Sequence, residues 1–155
     1  MGIEIERKFL VKKEVWDTLK KTEGKYYRQG YLLNGRERVV RVRIAGDQAF
    51  LTIKGAVDGI SRPEYEYEIP KADAQEMLDQ FKPEGTEKIR YRIPEGSGLI
   101  WEVDEFLGAN EGLIIAEIEL STEEQLFSRP EWLGQEVTHD ERYYNASLAL
   151  RPLRR

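Results

Sequence analysis

The chain has 155 residues, 24 of them basic and 29 acidic, which gives a formal net charge of -5. This length predicts one domain, residues 1–155, able to bury roughly two-thirds of the surface of its unfolded chain. The acidic balance argues against a nucleic-acid or anionic-membrane partner. There is no cysteine, which excludes disulfides and thiolate metal sites, and no apolar run suits a signal peptide or a membrane span. We therefore expect a cytoplasmic protein.

Short runs that alternate apolar and polar residues, separated by turn dipeptides, indicate an antiparallel meander or barrel. Eight strands are predicted, near residues 3–11, 26–33, 37–44, 48–54, 63–69, 86–93, 99–106 and 113–120. The turns between them are predicted at Asn34-Gly35, Gly46-Asp47, Asp58-Gly59 and residues 95–98.

Helices are predicted between and after the strands. The segment 71–82 carries an apolar stripe at i, i+3, i+4 and i+7, formed by Ala74, Met77, Leu78 and Phe81. A shorter stripe is formed by Val15, Trp16 and Leu19. Two patterns resemble capping boxes and predict helical starts, Ser121 with Glu124 and Thr138 with Glu141. The fold class is therefore α+β, built on an antiparallel sheet.

Nearly every predicted strand has one charged face and one apolar face. The charged faces together hold nine acids and seven bases, namely Glu4, Glu6, Lys8, Arg41, Arg43, Lys54, Glu64, Glu66, Glu68, Lys88, Arg90, Arg92, Glu102, Asp104, Glu117 and Glu119. For any single strand, this pattern also fits an ordinary sheet whose charged face meets water. The helices favour the opposite arrangement, because their apolar stripes need a large apolar partner and only the strands' apolar faces provide one.

If the eight strands close into a barrel, which removes exposed edges, the charged faces line its interior. The sequence thus predicts an eight-stranded antiparallel β-barrel with helices packed outside and a polar tunnel inside. The tunnel must be wet, because burying one unpaired ion costs several kcal/mol.

The two signs of charge are segregated along the chain. Bases dominate strands three, four and six, while acids dominate strands five, seven and eight and open the first strand. Clustered carboxylates suit hard divalent ions such as Mg²⁺ or Mn²⁺, and Arg and Lys suit phosphate oxygens. A small polyanion that chelates metal is the predicted substrate class, and a structural lattice of ion pairs is the alternative. No P-loop or metal-binding His pair competes, and the lone His139 is predicted to be a surface or loop residue.

The same residues resemble the CYTH superfamily, the triphosphate tunnel metalloenzymes. Glu4-x-Glu6-x-Lys8 is similar to the E-x-E-x-K signature of that family. Further segments follow in order over nearly the whole chain: RQGYL at 28–32, VRVR at 40–43, LTIKG at 51–55, SRPEYE at 61–66, EKIRY at 87–91, WEVDEF at 101–106, AEIEL at 116–120 and VTHDERY at 137–143. The resemblance implies an eight-stranded tunnel that binds a triphosphate group together with a divalent metal.

The resemblance also implies roles for individual residues. The metal-binding carboxylates are Glu4, Glu6, Glu117 and Glu119, with Glu64, Glu66, Glu102 and Asp104 as weaker candidates. The substrate-binding bases are Lys8, Arg41, Arg43, Lys54, Lys88 and Arg90, with Arg62 and Arg142 as additions at the mouth. The catalytic residues are Glu4, Glu6, Lys8 and Lys88. One Mg²⁺ or Mn²⁺ would bridge phosphate oxygens, and a second, held by Glu4, Glu6 and Glu119, would orient the attacking water. Tyr31 either lines one end of the tunnel or packs.

Among the activities of the family, the short chain and its RQGYL and VTHDERY segments most resemble the small bacterial tripolyphosphatases. The expected reaction is metal-dependent hydrolysis of inorganic tripolyphosphate to pyrophosphate and phosphate. Thiamine or nucleoside triphosphatase and class IV adenylyl cyclase activity are alternatives, and a polyphosphate-binding module is the non-enzymatic one. Exposed helical aromatic residues would suit a homodimer, although Trp16 and Trp132 are residue types that more often pack in a core.

Overall fold

The structure is a computed structural model, and it describes residues 2–153. It contains nine strands: β1 Gly2–Val11, β2 Lys25–Asn34, β3 Val39–Ala45, β4 Gln48–Lys54, β5 Ser61–Ile69, β6 Glu84–Pro94, β7 Ile100–Phe106, β8 Ile114–Glu119 and β9 Leu133–Glu136. The helices are α1 Lys13–Trp16, α2 Lys71–Phe81 and α3 Asn145–Leu150, with 3₁₀ turns at Gly108–Asn110 and Glu141–Tyr143. No helix within this range is both long and apolar enough to cross a bilayer.

Eight of the strands form a closed antiparallel barrel, as predicted. The sheet runs β5-β4-β3-β2-β6-β7-β8-β1, and an additional pairing of β5 with β1 closes the ring. At the closure Glu4 lies opposite Arg62, and on the other edge of β1 Glu6 lies opposite Glu119. The sequence did not predict β9, which pairs with β1 beyond β5. Its four residues, LGQE, are too few to show an alternation of period two.

The apolar faces of the strands point outward, and their core lies between the barrel and its coat. On one side Phe9 of β1 and Trp101 of β7 meet edge to face with ring centroids 5.6 Å apart. Trp16 and Trp132 pack into the same cluster, and both are buried, which confirms their predicted packing role. On the other side α2 places its buried Ala74 and Leu78 against the outer faces of β3 and β4.

Two of the predicted helical starts are wrong. Residues 121–124 form only a bend and a turn, in which the Ser121 N–H donates to the Gln125 side chain at 2.6 Å. Thr138 caps no helix, because its hydroxyl oxygen accepts from the Lys8 backbone N–H at 3.0 Å. The 3₁₀ turn that follows is capped instead by Asp140, which accepts from the Arg142 N–H at 3.1 Å. Phe81, predicted within the apolar stripe of α2, is 63% exposed at the end of that helix.

β2 and β6 approach each other closely where Gly30 lies opposite Gly85. A Cβ atom added to Gly85 would lie 2.0 Å from the backbone oxygen of Gln29. We expect Gly85→Ala to lower the free energy of unfolding by about 1–3 kcal/mol or more, since a backbone atom of a paired strand cannot move aside cheaply. Urea unfolding would measure the loss. Gly35→Ala is the matched control, because a Cβ atom added to Gly35 would lie at an ordinary 3.4 Å from its nearest neighbour, the Arg38 backbone oxygen. Equal stability of the two variants would contradict the prediction.

Candidate active site

The charged faces of the strands enclose a cavity of about 1870 Å³. The predicted site residues that line it are Glu4, Glu6, Lys8, Arg41, Arg43, Lys54, Arg62, Glu64, Glu66, Arg90, Glu102, Glu117, Glu119 and Arg142. Lys88 and Asp104 are the two predicted site residues that do not line it. The inward orientation of the charged faces follows from the barrel, since their apolar partners face the coat of helices and loops.

Carboxylates crowd the part of the wall formed by β1 and β8. Glu6 lies directly opposite Glu119, and Lys8 lies opposite Glu117, with its Nζ 3.7 Å from a Glu117 oxygen. Glu4 accepts two hydrogen bonds from Lys54 Nζ, at 2.9 and 3.1 Å. Two like charges directly opposite one another destabilise a pair of strands. The four glutamates of this wall outnumber the two lysines that contact them, Lys8 and Lys54.

Burial raises the pKa of Glu6 well above 4.5, and the charges of Glu117 and Glu4 raise it further. Burial and neighbouring carboxylates also raise the pKa of Glu119 and that of Glu64. For Glu117, burial is outweighed by Lys8 and Arg90, which hold its pKa well below the usual value. The environment thus favours the ionised form of Glu117 and the protonated form of Glu6.

The donor set of this wall fits a hard divalent cation. Its oxygen donors come from Glu4, Glu6, Glu117 and Glu119, and their mutual repulsion would be relieved by a positive ion. As they stand, no three carboxylate or imidazole groups within residues 2–153 are close enough together to hold a metal ion between them. A metal ion bound here would therefore take some of its ligands from phosphate oxygens or water, or some of these glutamates would have to change rotamer.

The opposite wall is rich in guanidinium groups. Arg41 donates to the Thr52 hydroxyl at 3.2 Å and lies 3.5 Å from Glu66, while its buried Nε has no hydrogen-bond partner among the described residues. Arg43 lies over the ring of Tyr27, 4.9 Å from its centroid. Burial lowers the pKa of Arg43 to about 10, with Arg41 and Arg90 adding to the effect. These groups form a cationic surface within the cavity.

The two residues predicted for the cavity mouth are held by other contacts. Arg62 donates two hydrogen bonds to the Gly55 carbonyl oxygen, at 2.7 and 3.1 Å. Arg142 is exposed and pairs with Asp140 at 2.6 Å. Both side chains line the cavity, so a bound anion would have to compete with these partners.

Lys88 and Asp104 form a buried ionic cluster inside the barrel, outside the lining of the cavity. Asp104 is 1% exposed; its oxygens accept from Arg90 at 2.7 and 2.8 Å, and one lies 2.6 Å from Lys88 Nζ. A carboxylate already shared by two cations is a poor metal ligand. Burial lowers the pKa of Lys88 to about 7, Asp104 opposes this, and Arg90 and Arg43 add to it. Lys88 is thus an inward-facing base that is held among Asp104, Asn145 and the ring of Tyr27.

Three uncharged residues of the interior were missed by the sequence analysis, namely Tyr27, Gln29 and Asn145. Tyr27 and Gln29 occupy inward positions of β2 together with Tyr31, which lines the cavity, and Gln29 is 2% exposed. Asn145 of α3 accepts a hydrogen bond from Lys88 Nζ at 2.9 Å. Extending the period-two analysis to the second strand would have found Tyr27 and Gln29, because they alternate with outward-facing residues. Asn145 gives no such signal, since it belongs to a helix that closes onto the barrel from outside.

Glu6→Gln tests the charge crowding directly in metal-free protein. Because the pKa of Glu6 is higher in the folded state than its ordinary 4.5, its ionisation costs stability, and the cost grows as pH rises from 4.5 through the folded pKa. We expect the variant to be more stable than the natural protein at alkaline pH, by up to about 1 kcal/mol. The gain should vanish below pH 4.5, and thermal unfolding across this pH range measures it. A variant that is less stable at alkaline pH would contradict the prediction.

A closed barrel with facing acidic and basic inner walls defines a class of protein that binds polyanions inside a tunnel. The sequence profile of the CYTH domain matches residues 2–151, and the chain belongs to the CYTH family. An inorganic triphosphatase of Acetivibrio thermocellus is 51% identical over 154 residues, covering 98% of this chain and 96% of that protein. Another, from Nitrosomonas europaea, is 37% identical over 156 residues, covering 95% and 97%. A crystal structure of an inorganic triphosphatase is 36% identical, covers 97% of this chain and 96% of that one, and superposes with a TM-score of 0.66.

Proposed function

We propose that this protein is an inorganic triphosphatase, which hydrolyses tripolyphosphate to pyrophosphate and phosphate within its barrel. The observation that carries the proposal is the cavity of about 1870 Å³, in which a carboxylate wall faces a guanidinium wall. The two relatives named inorganic triphosphatases support it, because each matches nearly the full length of this chain. The reaction proposed is thus the hydrolysis of a phosphoanhydride.

We propose that the reaction depends on Mg²⁺ or Mn²⁺ held by Glu4, Glu6, Glu117 and Glu119. When bound, such an ion neutralises phosphate oxygens and lowers the pKa of a coordinated water. The remaining predicted ligands are weaker candidates on their present contacts. Glu64, Glu66 and Glu102 line the cavity but are partly exposed and pair with Lys54, Arg41 and Arg90 or Arg92 respectively.

The chain's own bases bind and orient the substrate. Arg41, Arg43 and Arg90 present donors to phosphate oxygens, and Lys8 and Lys54 bridge the acidic wall to the anion. Their positive charge stabilises the pyrophosphate that leaves when water displaces it from the terminal phosphorus. Lys88 stays a predicted catalytic base, and its Nζ is held within the barrel by Asp104 and Asn145.

Phosphate release tests the proposal when tripolyphosphate, ATP and thiamine triphosphate are assayed side by side, with and without Mg²⁺ or Mn²⁺. We expect metal-dependent release that is fastest with tripolyphosphate. Preference for ATP or thiamine triphosphate would instead indicate a nucleoside or thiamine triphosphatase, and formation of cyclic AMP a cyclase. Tight binding without turnover would indicate a polyphosphate-binding module.

We further propose that residues 1–155 act as one catalytic domain in the cytoplasm, a location supported by the absence of cysteine. A homodimer also stays a prediction, and the exposed aromatic residue that supports it is now Phe81 rather than a tryptophan. Trp16 and Trp132 are buried, whereas Phe81 of α2 is 63% exposed. Sedimentation equilibrium of the natural protein and of Phe81→Lys would test an interface on this helix.

A further inference from the structure

Arg43 differs from the other inward-facing bases of β3, β4 and β6 in its partners. Within residues 2–153, Arg41, Lys54, Lys88, Arg90 and Arg92 each lie within 4 Å of a carboxylate, whereas Arg43 has no such ion pair. Its guanidinium makes one hydrogen bond within this part of the chain, from Nε to the side-chain oxygen of Gln29 at 2.8 Å. Its positive charge is therefore not cancelled by the protein.

Gln29 lies at the centre of a buried hydrogen-bond network. On β2 it is opposite Arg43 of β3 and opposite Thr86 of β6. Its amide nitrogen has two N–H donors and three acceptors within reach: the Thr86 hydroxyl at 3.1 Å, the Tyr31 hydroxyl at 3.4 Å and the Asn145 side-chain oxygen at 3.4 Å. Because a guanidinium can only donate, the oxygen of the amide must face Arg43 and its nitrogen must face the other partners. The orientation of the amide is therefore fixed.

The chemistry of this contact distinguishes glutamine from glutamate. A carboxylate at position 29 would also accept from Arg43 Nε, but it would neutralise the charge that an anionic substrate requires. The neutral amide holds Nε and leaves both terminal nitrogens of the guanidinium for another acceptor. The Tyr27 ring, 4.9 Å away, further limits the positions that the guanidinium can adopt.

We propose that Gln29 is a positioning residue for substrate binding, a neutral tether that fixes Arg43 toward a phosphoryl group without pairing its charge. The inference rests on the proposed function, because it takes the phosphoryl group of the substrate as the acceptor for Arg43. It assigns a role to the glutamine of the RQGYL segment, which neither the metal-binding wall nor the other bases explain.

The test uses steady-state kinetics with tripolyphosphate and two substitutions. We expect Gln29→Met to raise KM about tenfold, because a hydrogen bond to a charged group is lost. Gln29→Glu should raise KM at least as much although it preserves size and acceptor, because it neutralises Arg43. In both variants kcat should change much less than KM, since binding of ground and transition states is weakened alike. Gln48→Met, at a glutamine of β4 that lines the cavity, is the matched control and should behave like the natural protein.

A double-substitution cycle separates positioning from a merely structural role. In an Arg43→Ala background, Gln29→Met should raise KM by less than about twofold, since its effect passes through Arg43. Equal losses in both backgrounds, or an unchanged KM in Gln29→Glu, would overturn the inference. If Gln29→Glu does not fold, Gln29→Met and the cycle carry the test.

Metal-free binding of tripolyphosphate, measured by calorimetry, distinguishes failure of this inference from failure of the proposed function. A natural protein that binds tripolyphosphate without hydrolysing it, even with metal, would refute the proposed function, and the Gln29 variants would still bind more weakly. If the natural protein turns over tripolyphosphate normally and all variants bind it with equal affinity, the role of Gln29 is refuted and the proposed function stands.

Discussion

Glu4→Gln is expected to abolish metal-dependent hydrolysis of tripolyphosphate. Glu4 is 9% exposed, lies in the cavity wall and accepts two hydrogen bonds from Lys54. The burial of Glu4 favours its protonated form, but Lys54 outweighs this and lowers its pKa, so the group is a carboxylate at neutral pH. The amide keeps the size of the side chain but loses the negative charge that a divalent cation requires. Substituting a residue that only supports a metal ligand already lowers metal affinity or activity by about 10–100-fold. We therefore expect the rate of hydrolysis by Glu4→Gln to fall by more than about 100-fold.

Phosphate release at limiting and at saturating Mg²⁺ measures this loss. Glu119→Gln should lose activity in the same way, because it lies on the same wall, opposite Glu6. Glu68→Gln is the matched control, since Glu68 belongs to β5 but lies outside the cavity lining, and it should retain activity. Near-native turnover by Glu4→Gln at limiting Mg²⁺ would show that this carboxylate does not hold the metal.

Asp104→Asn is expected to cause the largest loss of stability, about 3–5 kcal/mol, because it leaves buried cations without their counter-ion. Asp104 is almost completely buried and neutralises both Arg90 and Lys88. Burial tends to raise its pKa, but Arg90 and Lys88 outweigh this and hold the pKa below 3.8. The contribution of the carboxylate is thus present above pH 3.8 and is lost as pH falls through the folded pKa. Urea unfolding at neutral and at acid pH should show that the difference in the free energy of unfolding between the natural protein and Asp104→Asn becomes smaller in acid.

Two further variants make the Asp104 result specific. Adding Lys88→Met to Asp104→Asn should recover part of the stability, because it removes one of the two unpaired cations. Glu102→Gln is the control, since its side chain is 30% exposed, and a pair of this kind contributes about 1 kcal/mol at most. If Asp104→Asn left metal-free stability intact and weakened only metal binding, Asp104 would be a ligand and not a structural counter-ion.

The architecture of the barrel could be predicted from the sequence because two patterns have to agree. The strands alternate charged and apolar residues, and the apolar stripes of the helices need the apolar faces of the strands as packing partners. Seven charged strand faces and an apolar stripe such as that of α2 allow one consistent arrangement, in which the apolar faces look outward. β9 escaped prediction because four residues are too short for a period to appear. The two capping patterns failed because Ser121 and Thr138 found other hydrogen-bond partners, which only the tertiary structure reveals.

The sequence predicted which charged side chains face the interior of the barrel. It did not predict which of them reach the cavity and which are buried by their neighbours. Period two places Asp104 and Glu102 on the same face, yet only Glu102 reaches the cavity, because Arg90 and Lys88 enclose Asp104. Gln29 was overlooked because the search followed charge, and its importance lies in being neutral. Such differences depend on side-chain partners contributed by distant strands, which no local pattern encodes.

The pairing of β1 also determines when the site can form during synthesis. The first strand of the chain has its neighbours much later, since Gly2 lies opposite Glu64 and Glu6 opposite Glu119. Such distant pairings are slow to form, because the intervening chain must first be ordered. Glu4 can pair with Lys54 and Arg62 once β5 has emerged from the ribosome. Glu6 and Lys8 lack their strand partners until β8 has emerged. The carboxylate wall is thus one of the last parts of the nascent protein to assemble.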